Sequence, residues 1–361
     1  MFARHSHRKP FSGLAVHCPD TIHKQDYRHA PTRPRRRQRC LVSLYFSRML
    51  LYRSAKFRPA TTTRAVALPE RQRTQERKDP VVALRKVHVM TTVVILTGNE
   101  LRHKYFRTIL ARDSRFSILA SYCEGTEKSL EVRTATNPNS SDLEFLHVKA
   151  RTQSENDFFS DVVNILGDKS NPFIIKKGEI NNDDIVNDIS AINPKLLICY
   201  GTSIIKSSLL KKFEGRFINV HLGLSPYYRG AGTNVWPLIN GEPEMVGATF
   251  MHIDAGIDTG RIIHQIRADV MLGDSPHTIG NRLIRKMTQT YCDVIAAFDN
   301  LYDEPQPTGE GRLYYIKDFD AAACERLYDN FSKGMIQDFI ERGMAASDHP
   351  YIVQNRALRN N

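Results

Sequence analysis

The sequence predicts an α/β fold: a mostly parallel sheet flanked by helices, with a short helical C-terminal extension. Three observations predict it. Short apolar runs such as 93–98 and 195–200 end at or beside a glycine and have the length and near-continuous hydrophobicity of strands buried on both faces. Stretches of helical period lie between them. The alternation of strand and helix repeats from residue 91 to residue 221, as a chain of βαβ units requires.

Thr91–Gly98 is the expected first strand and its turn, Leu101–Leu110 the helix that follows, and 116–122 the second strand. Farther on, 172–177 reads as a strand, Asp183–Ile192 as a helix, 195–200 as a buried strand ending at Gly201, and 207–213 as a helix. Phe217–His221 is a strand with its polar residues at the carboxyl end. In open α/β sheets ligands bind outside that end. Strands over 247–253 and 261–270 and a long amphipathic helix over 278–298 close the domain. Residues 301–361 begin with a linker interrupted by Pro305 and Pro307 and continue into one helix over 321–343, which is too little for a second core.

The domain organisation expected is therefore a leader over 1–89, one α/β domain over 90–300 and a docked extension over 301–361. The 361-residue chain carries a formal net charge of +12, and its location matters more than its size. Residues 1–89 hold 21 Lys and Arg against 5 Asp and Glu, and the remainder holds 30 against 34. A nucleic-acid reading would rest wholly on this leader, with its Arg35-Arg36-Arg37 tract, while the rest of the chain is mildly acidic. The leader is expected to be disordered: a targeting peptide, a basic arm, or upstream sequence ahead of a true start at Met90. The last reading is favoured, because Met90 stands directly before the first strand.

Six scattered cysteines, with no CxxC pair and no Cys/His cluster, fit reduced thiols in the cytoplasm and no metal site. No apolar run is long enough to span a membrane.

The informative segment is Asn219-Val220-His221-Leu222-Gly223-Leu224-Ser225-Pro226-Tyr227-Tyr228-Arg229-Gly230, followed by Ile257-Asp258-Thr259-Gly260-Arg261. It resembles the folate-dependent formyltransferase family, whose pattern is Asn-x-His with a Pro five residues after the His, an Arg-Gly turn, and an Asp-x-Gly loop before an apolar strand. The resemblance runs from about residue 90 to 298 and is strongest over 198–265. It implies a Rossmann-like sheet, 10-formyltetrahydrofolate as formyl donor, and Asn219, His221 and Asp258 as the catalytic trio.

The chemistry favours the same residues. Formyl transfer to an amine passes through a tetrahedral adduct with an oxyanion on one side and an acidic ammonium on the other. Asn219 and His221, two residues apart on a strand and so on one face, can donate to the oxyanion, each such donor being worth roughly 3 kcal/mol. Asp258 can orient a protonated His221 or accept the ammonium proton directly or through a water, a contribution of about 10²–10⁴-fold. Taken singly, each has a plainer account: a hydrogen-bonded structural histidine, an asparagine capping a turn, an aspartate forming one. Together and in order they carry the reading.

The resemblance further implies that the pterin lies between Tyr200-Gly201-Thr202-Ser203-Ile204 and Ile253-Asp254-Ala255-Gly256-Ile257. For the acceptor, the first turn, Thr97-Gly98-Asn99-Glu100, lacks the phosphate cradle of the glycinamide ribonucleotide enzymes. The extension is too short for the tRNA-binding barrel of the methionyl-tRNA enzymes. An amino sugar on a nucleotide carrier therefore ranks first as the small-molecule amine acceptor, with Tyr227, Tyr228 and Arg229 as candidate contacts, although an exposed Arg-Gly turn is an equal account of the last. Methionyl-tRNA or another amine, water in a 10-formyltetrahydrofolate hydrolase, and a non-catalytic binding protein are the alternatives. Trp236 is expected in the core. Tyr314, Tyr315, Lys317 and Asp318 either dock on the domain or form a homodimer contact.

Overall fold

Residues 90–307, 311–343 and 349–358 are described in a computed structural model of the chain. The leader over 1–89, with every expectation placed on it, lies outside the described residues.

In chain order the elements are β1 (Thr91–Gly98), α1 (Leu101–Leu110), β2 (Phe116–Glu124), α2 (Leu130–Thr136), α3 (Asp142–Glu155), α4 (Asp161–Leu166), β3 (Phe173–Ile175), α5 (Asp183–Ile192), β4 (Leu196–Tyr200), α6 (Ser207–Lys212), β5 (Phe217–His221), β6 (Tyr228–Gly230), α7 (Trp236–Ile239), β7 (Gly247–His252), β8 (Ile262–Arg267), α8 (Pro276–Ala296), β9 (Arg312–Tyr314), α9 (Ala321–Ser332) and α10 (Met335–Arg342). Seven strands form one sheet in the order β3-β2-β1-β4-β5-β7-β8. Its first five are parallel, and β7 and β8 are antiparallel to their neighbours.

The continuous hydrophobicity of the central strands has the expected cause. Val93 and Ile95 pack on one side with α1 and α8, and Val94 and Leu96 pack on the other with Val186, Ile189 and Leu209, so both faces are covered. Helix α8 starts at a capping box between Ser275 and Thr278 with Pro276 in its first turn. Its Tyr291 hydroxyl donates to the Ile218 carbonyl at 2.6 Å, tying the helix to the strand that carries Asn219 and His221.

From β1 the chain winds outward to β3 and then returns to β4 on the other side of β1. That reversal opens a crevice at the carboxyl ends of β1 and β4, where Gly98 and Gly201 lie.

Three departures from expectation bear on function. Residues 125–171, for which the sequence suggested no elements, form α2, α3 and α4, with α3 and α4 joined by a short π-helical turn over Asn156–Ser160. The extension is not one helix over 321–343: Gly334, at φ +85°, separates α9 from α10, because the left-handed conformation ends the first helix. The strands expected over 172–177 and 261–270 shorten to Phe173–Ile175 and Ile262–Arg267.

The extension is also woven into the sheet. Strand β9 pairs in parallel with β6, Glu304 exchanges main-chain hydrogen bonds with Ile262, and Val353 does so with the main chain and side chain of Gln265. The outer edge of β8 is thereby covered. Among the described residues no helix is long and apolar enough to cross a membrane, and all four cysteines are free and buried.

Candidate active site

Asn219 and His221 sit on one face of β5, their backbones paired with Cys199 of β4 and with Met251 and Thr249 of β7. Both line a cleft of about 990 Å³ outside the strand ends. Asp258 comes from the loop between β7 and β8, which folds back so that its Oδ2 lies 3.3 Å from His221 Nδ1. The structure thus brings the three residues to one cleft.

The imidazole is held from its far side. Its Nε2 is 3.0 Å from the Tyr228 carbonyl oxygen and 3.1 Å from Thr233 Oγ1. A carbonyl only accepts, so Nε2 carries a proton; the Thr233 hydroxyl accepts from it and donates onward to the Leu222 carbonyl at 2.8 Å. Nδ1 is left to face Asp258. Asp258 Oδ2 also accepts the Gly230 N–H at 2.9 Å, while no hydrogen bond among the described residues engages Oδ1. The Asn219 carboxamide is likewise unengaged among them.

Asp258 adopts φ +52°, a left-handed conformation uncommon outside glycine, and the loop around it is braced accordingly. Asp254 Oδ1 accepts from the Gly256 N–H and the Thr259 hydroxyl. From the extension, Gln306 Nε2 donates to the Asp258 carbonyl at 2.9 Å and to the Gly260 carbonyl at 2.7 Å. Gly230, at φ +91°, has Tyr314 O where a Cβ would stand, so only glycine lets β9 approach β6 beside the site.

Of the ten residues expected around the pterin, Tyr200, Gly201, Thr202, Ser203, Ile204, Ile253, Asp254, Gly256 and Ile257 line the cleft. Ala255 does not. Ile204 is 75% exposed and Ile257 42% exposed, one on each loop, so the cleft is flanked by two unburied apolar side chains. Glu124, at the end of β2, anchors the first loop: buried, it accepts from the N–H groups of Ser203 and Gly178 and from Lys177 Nζ. Burial would raise its pKa, and these hydrogen bonds together hold it below the ordinary carboxylate range.

Tyr227, Tyr228 and Arg229, the expected substrate contacts, are not among the residues lining the cleft or the pocket beside it. The Tyr228 ring is buried and its hydroxyl is committed to Glu242, Asn240 and Arg312. What Tyr228 gives the site is its main-chain carbonyl. Among the described residues the buried Arg229 Nε has no hydrogen-bond partner, and the Tyr227 hydroxyl donates to the Tyr351 carbonyl at 3.2 Å. Trp236 is buried as expected, stacked on Tyr314 with 4.2 Å between ring centroids.

Sequence reasoning missed Thr233, Glu124, Gln306 and the extension's share of the walls. Tyr314, Tyr315, Ile316 and Lys317 all line the cleft. Gln306 sits between Pro305 and Pro307 in what reads as a linker, and nothing in its neighbours signals the loop it holds. A second pocket of about 330 Å³ adjoins the cleft and shares Arg102, His103, Arg133 and Gly201 with it. Helices α2 and α3 supply Arg133, His147, Arg151 and Glu155 to its lining, and α8 supplies His277. Tyr328 bridges His147 and His277, and burial pushes these imidazoles down to about 3 and about 4, so both are neutral.

Comparison with known proteins adds to this geometry. Residues 136–295, which include the whole trio, match the formyl transferase family. A methionyl-tRNA formyltransferase of Thermodesulfovibrio yellowstonii is 34% identical over 29% of this chain and 34% of its own length. A second, from Alkaliphilus oremlandii, is 30% identical over 34% of this chain and 39% of its own. The chain thus matches little more than a third of the length of these curated relatives. A sugar N-formyltransferase from a Shewanella species superposes with a TM-score of 0.44 at 19% identity, over 64% of this chain and 79% of that one. Over residues 136–295, the segment that carries the trio, this chain is similar to formyl transferases.

Proposed function

We propose that this protein transfers a formyl group from 10-formyltetrahydrofolate to a primary amine on a small molecule, with Asn219, His221 and Asp258 as its catalytic residues. The observation that carries the proposal is the trio itself: an unengaged carboxamide and an imidazole on one strand face, with a carboxylate 3.3 Å from the imidazole, in one cleft.

The residues present fit the folate. A flat, partly polar ring needs apolar walls with backbone groups at its edge; Ile204 and Ile257 offer the first and the loops that bear them offer the second. When bound, the folate supplies an activated formyl carbon. The rest belongs to the chain. Asn219 Nδ2 is free to donate to an oxygen gaining negative charge, and its place on a strand makes it a preorganised donor. His221, with Nε2 tied to main chain, presents Nδ1 toward Asp258 and the cleft, and the imidazolium form stabilises negative charge there. Asp258, with Oδ1 unengaged, accepts the proton that the attacking amine must lose, directly or through a water.

For the acceptor we favour an amino sugar on a nucleotide carrier. The adjoining pocket is small and floored by α3 and α8, which suits a small molecule rather than a macromolecular end. The test is tetrahydrofolate release from 10-formyltetrahydrofolate by the full chain, with water alone, with amino-sugar nucleotides, and with methionyl-tRNA. Release that requires an amino-sugar nucleotide and disappears in His221→Ala supports both levels of the proposal. Release with methionyl-tRNA only, or in water alone, replaces the acceptor; a folded protein that releases none with any of them overturns formyl transfer.

A further inference from the structure

The pocket beside the cleft contains more positive charge than its own carboxylates neutralise. Five cationic side chains line it: Arg102, Lys128, Arg133, Arg151 and Lys177. Three of these are matched. Arg102 pairs with Glu100 and, at 2.8 Å, with Glu155; Arg151 lies 3.3 Å from Glu155 and 3.9 Å from Glu100; Lys177 lies 3.0 Å from Glu124. Arg133 and Lys128 have no carboxylate partner among the described residues.

Arg133 is the more telling of the two. It is half-buried on α2, and among the described residues its Nε has neither solvent contact nor a hydrogen-bond partner. A guanidinium N–H left unpaired in a pocket wall forfeits the hydrogen bond that water would give it, a cost that an anion in the pocket would relieve. Burial, and after it the neighbouring Arg151 guanidinium, lower its pKa. The planar fork of an arginine matches phosphate oxygens two at a time, and Lys128 at the rim adds a point charge.

We infer that Arg133 and Lys128 bind a phosphate or diphosphate group carried by the amine acceptor, in the pocket that adjoins the cleft of His221. The two uncompensated positive charges equal the charge of a diphosphate diester. This rests on the proposed formyl transfer only for the word acceptor; the anion site itself stands on the pocket. A second source of anions exists, the glutamate carboxylates of a folate donor, and the experiment separates the two.

Inorganic pyrophosphate is titrated by calorimetry into the full-length wild-type chain, Arg133→Gln and Lys128→Gln, and tetrahydrofolate binding is followed on the same samples by fluorescence. The expected result is pyrophosphate binding that weakens at least about tenfold in Arg133→Gln and less in Lys128→Gln, persists when tetrahydrofolate saturates the protein, and leaves tetrahydrofolate affinity unchanged in Lys128→Gln, whose side chain lines the pocket and not the cleft. Equal binding by wild type and both variants, no binding by wild type, or displacement of pyrophosphate by tetrahydrofolate overturns the inference. Failure here is distinguishable from failure of formyl transfer: a chain that binds tetrahydrofolate but not pyrophosphate loses the anion site alone. One that binds pyrophosphate but no tetrahydrofolate keeps the anion site and loses the folate.

Discussion

The wall of the cleft that carries Asn219, His221 and Asp258 is drawn from short stretches of chain, whereas the pocket beside it is assembled from segments far apart. His221 is held by Tyr228 and Thr233, seven and twelve residues on, through main-chain and hydroxyl groups. The pocket is held by ion pairs such as Arg102 with Glu155, 53 residues away, and by a tyrosine of the extension that bridges α3 and α8. The proposed chemistry sits where the local chain can fix geometry by itself. The surface that would choose the acceptor sits where helices and the extension must first be packed together.

The largest effect expected from that contrast is on the strand-end wall. His221→Ala should lower amine-dependent formyl transfer about 10²–10⁴-fold while far-ultraviolet circular dichroism and thermal midpoint stay near wild type. Retention of more than about a tenth of the activity would mean that this wall is not where the chemistry occurs.

Next in size is Gln306→Leu, which blurs the contrast, because here the distant extension reaches into the local wall. Loss of its two donors frees the loop that holds Asp258 in its left-handed conformation. Misplacement of a reacting group by about 1 Å can cost a hundredfold, so a tenfold to hundredfold fall in kcat is expected, with the KM of both substrates little changed. A merely structural role would instead show as a lower thermal midpoint with kcat intact.

The same contrast explains what the sequence revealed. The trio was legible because Asn-x-His on a strand and Asp-x-Gly in a turn are short patterns whose spacing fixes a face or a bend. The central strands were legible because burial on both faces leaves them apolar throughout, and Leu101–Leu110 and Asp183–Ile192 because their periodicity is unbroken. Helices α2 and α3 were not. Their inward face carries Arg133, Glu144, His147, Arg151 and Glu155, so the stripe that would mark a helix is polar. The carbonyl of Tyr228 was not legible for a related reason. Sequence places the residue beside the site and cannot say that its carbonyl meets the His221 ring.

Acid should act on the anchor between the two regions. The pKa of Glu124 is depressed in the folded state, so its contribution is fully present above the unfolded value of about 4.3 and is lost as pH falls through the lower folded value. Glu124→Gln should therefore destabilise the protein by about 1.5–3 kcal/mol near pH 7, and the gap to wild type should close as pH falls below about 4. Thermal midpoints of both proteins across pH 3 to 7 provide the check; a constant gap would show that the carboxylate charge does not hold the Ser203 loop.

Tyr228→Phe should give the smallest effect, and it separates a side chain that builds the site from one that meets a substrate. The phenol sits 1% exposed between Glu242, Asn240 and Arg312, with Arg312 also over its ring. Removing the hydroxyl leaves Glu242 its ion pair with Arg312 at 3.0 Å, so no buried charge is orphaned. The backbone carbonyl that receives the His221 proton is untouched. The cost should be about 1 kcal/mol, the net worth of one hydrogen-bonded hydroxyl, with kcat and acceptor KM unchanged. A threefold or greater rise in acceptor KM without loss of stability would return the ring to the substrate's surroundings. It would also shift the boundary between the two regions toward β6.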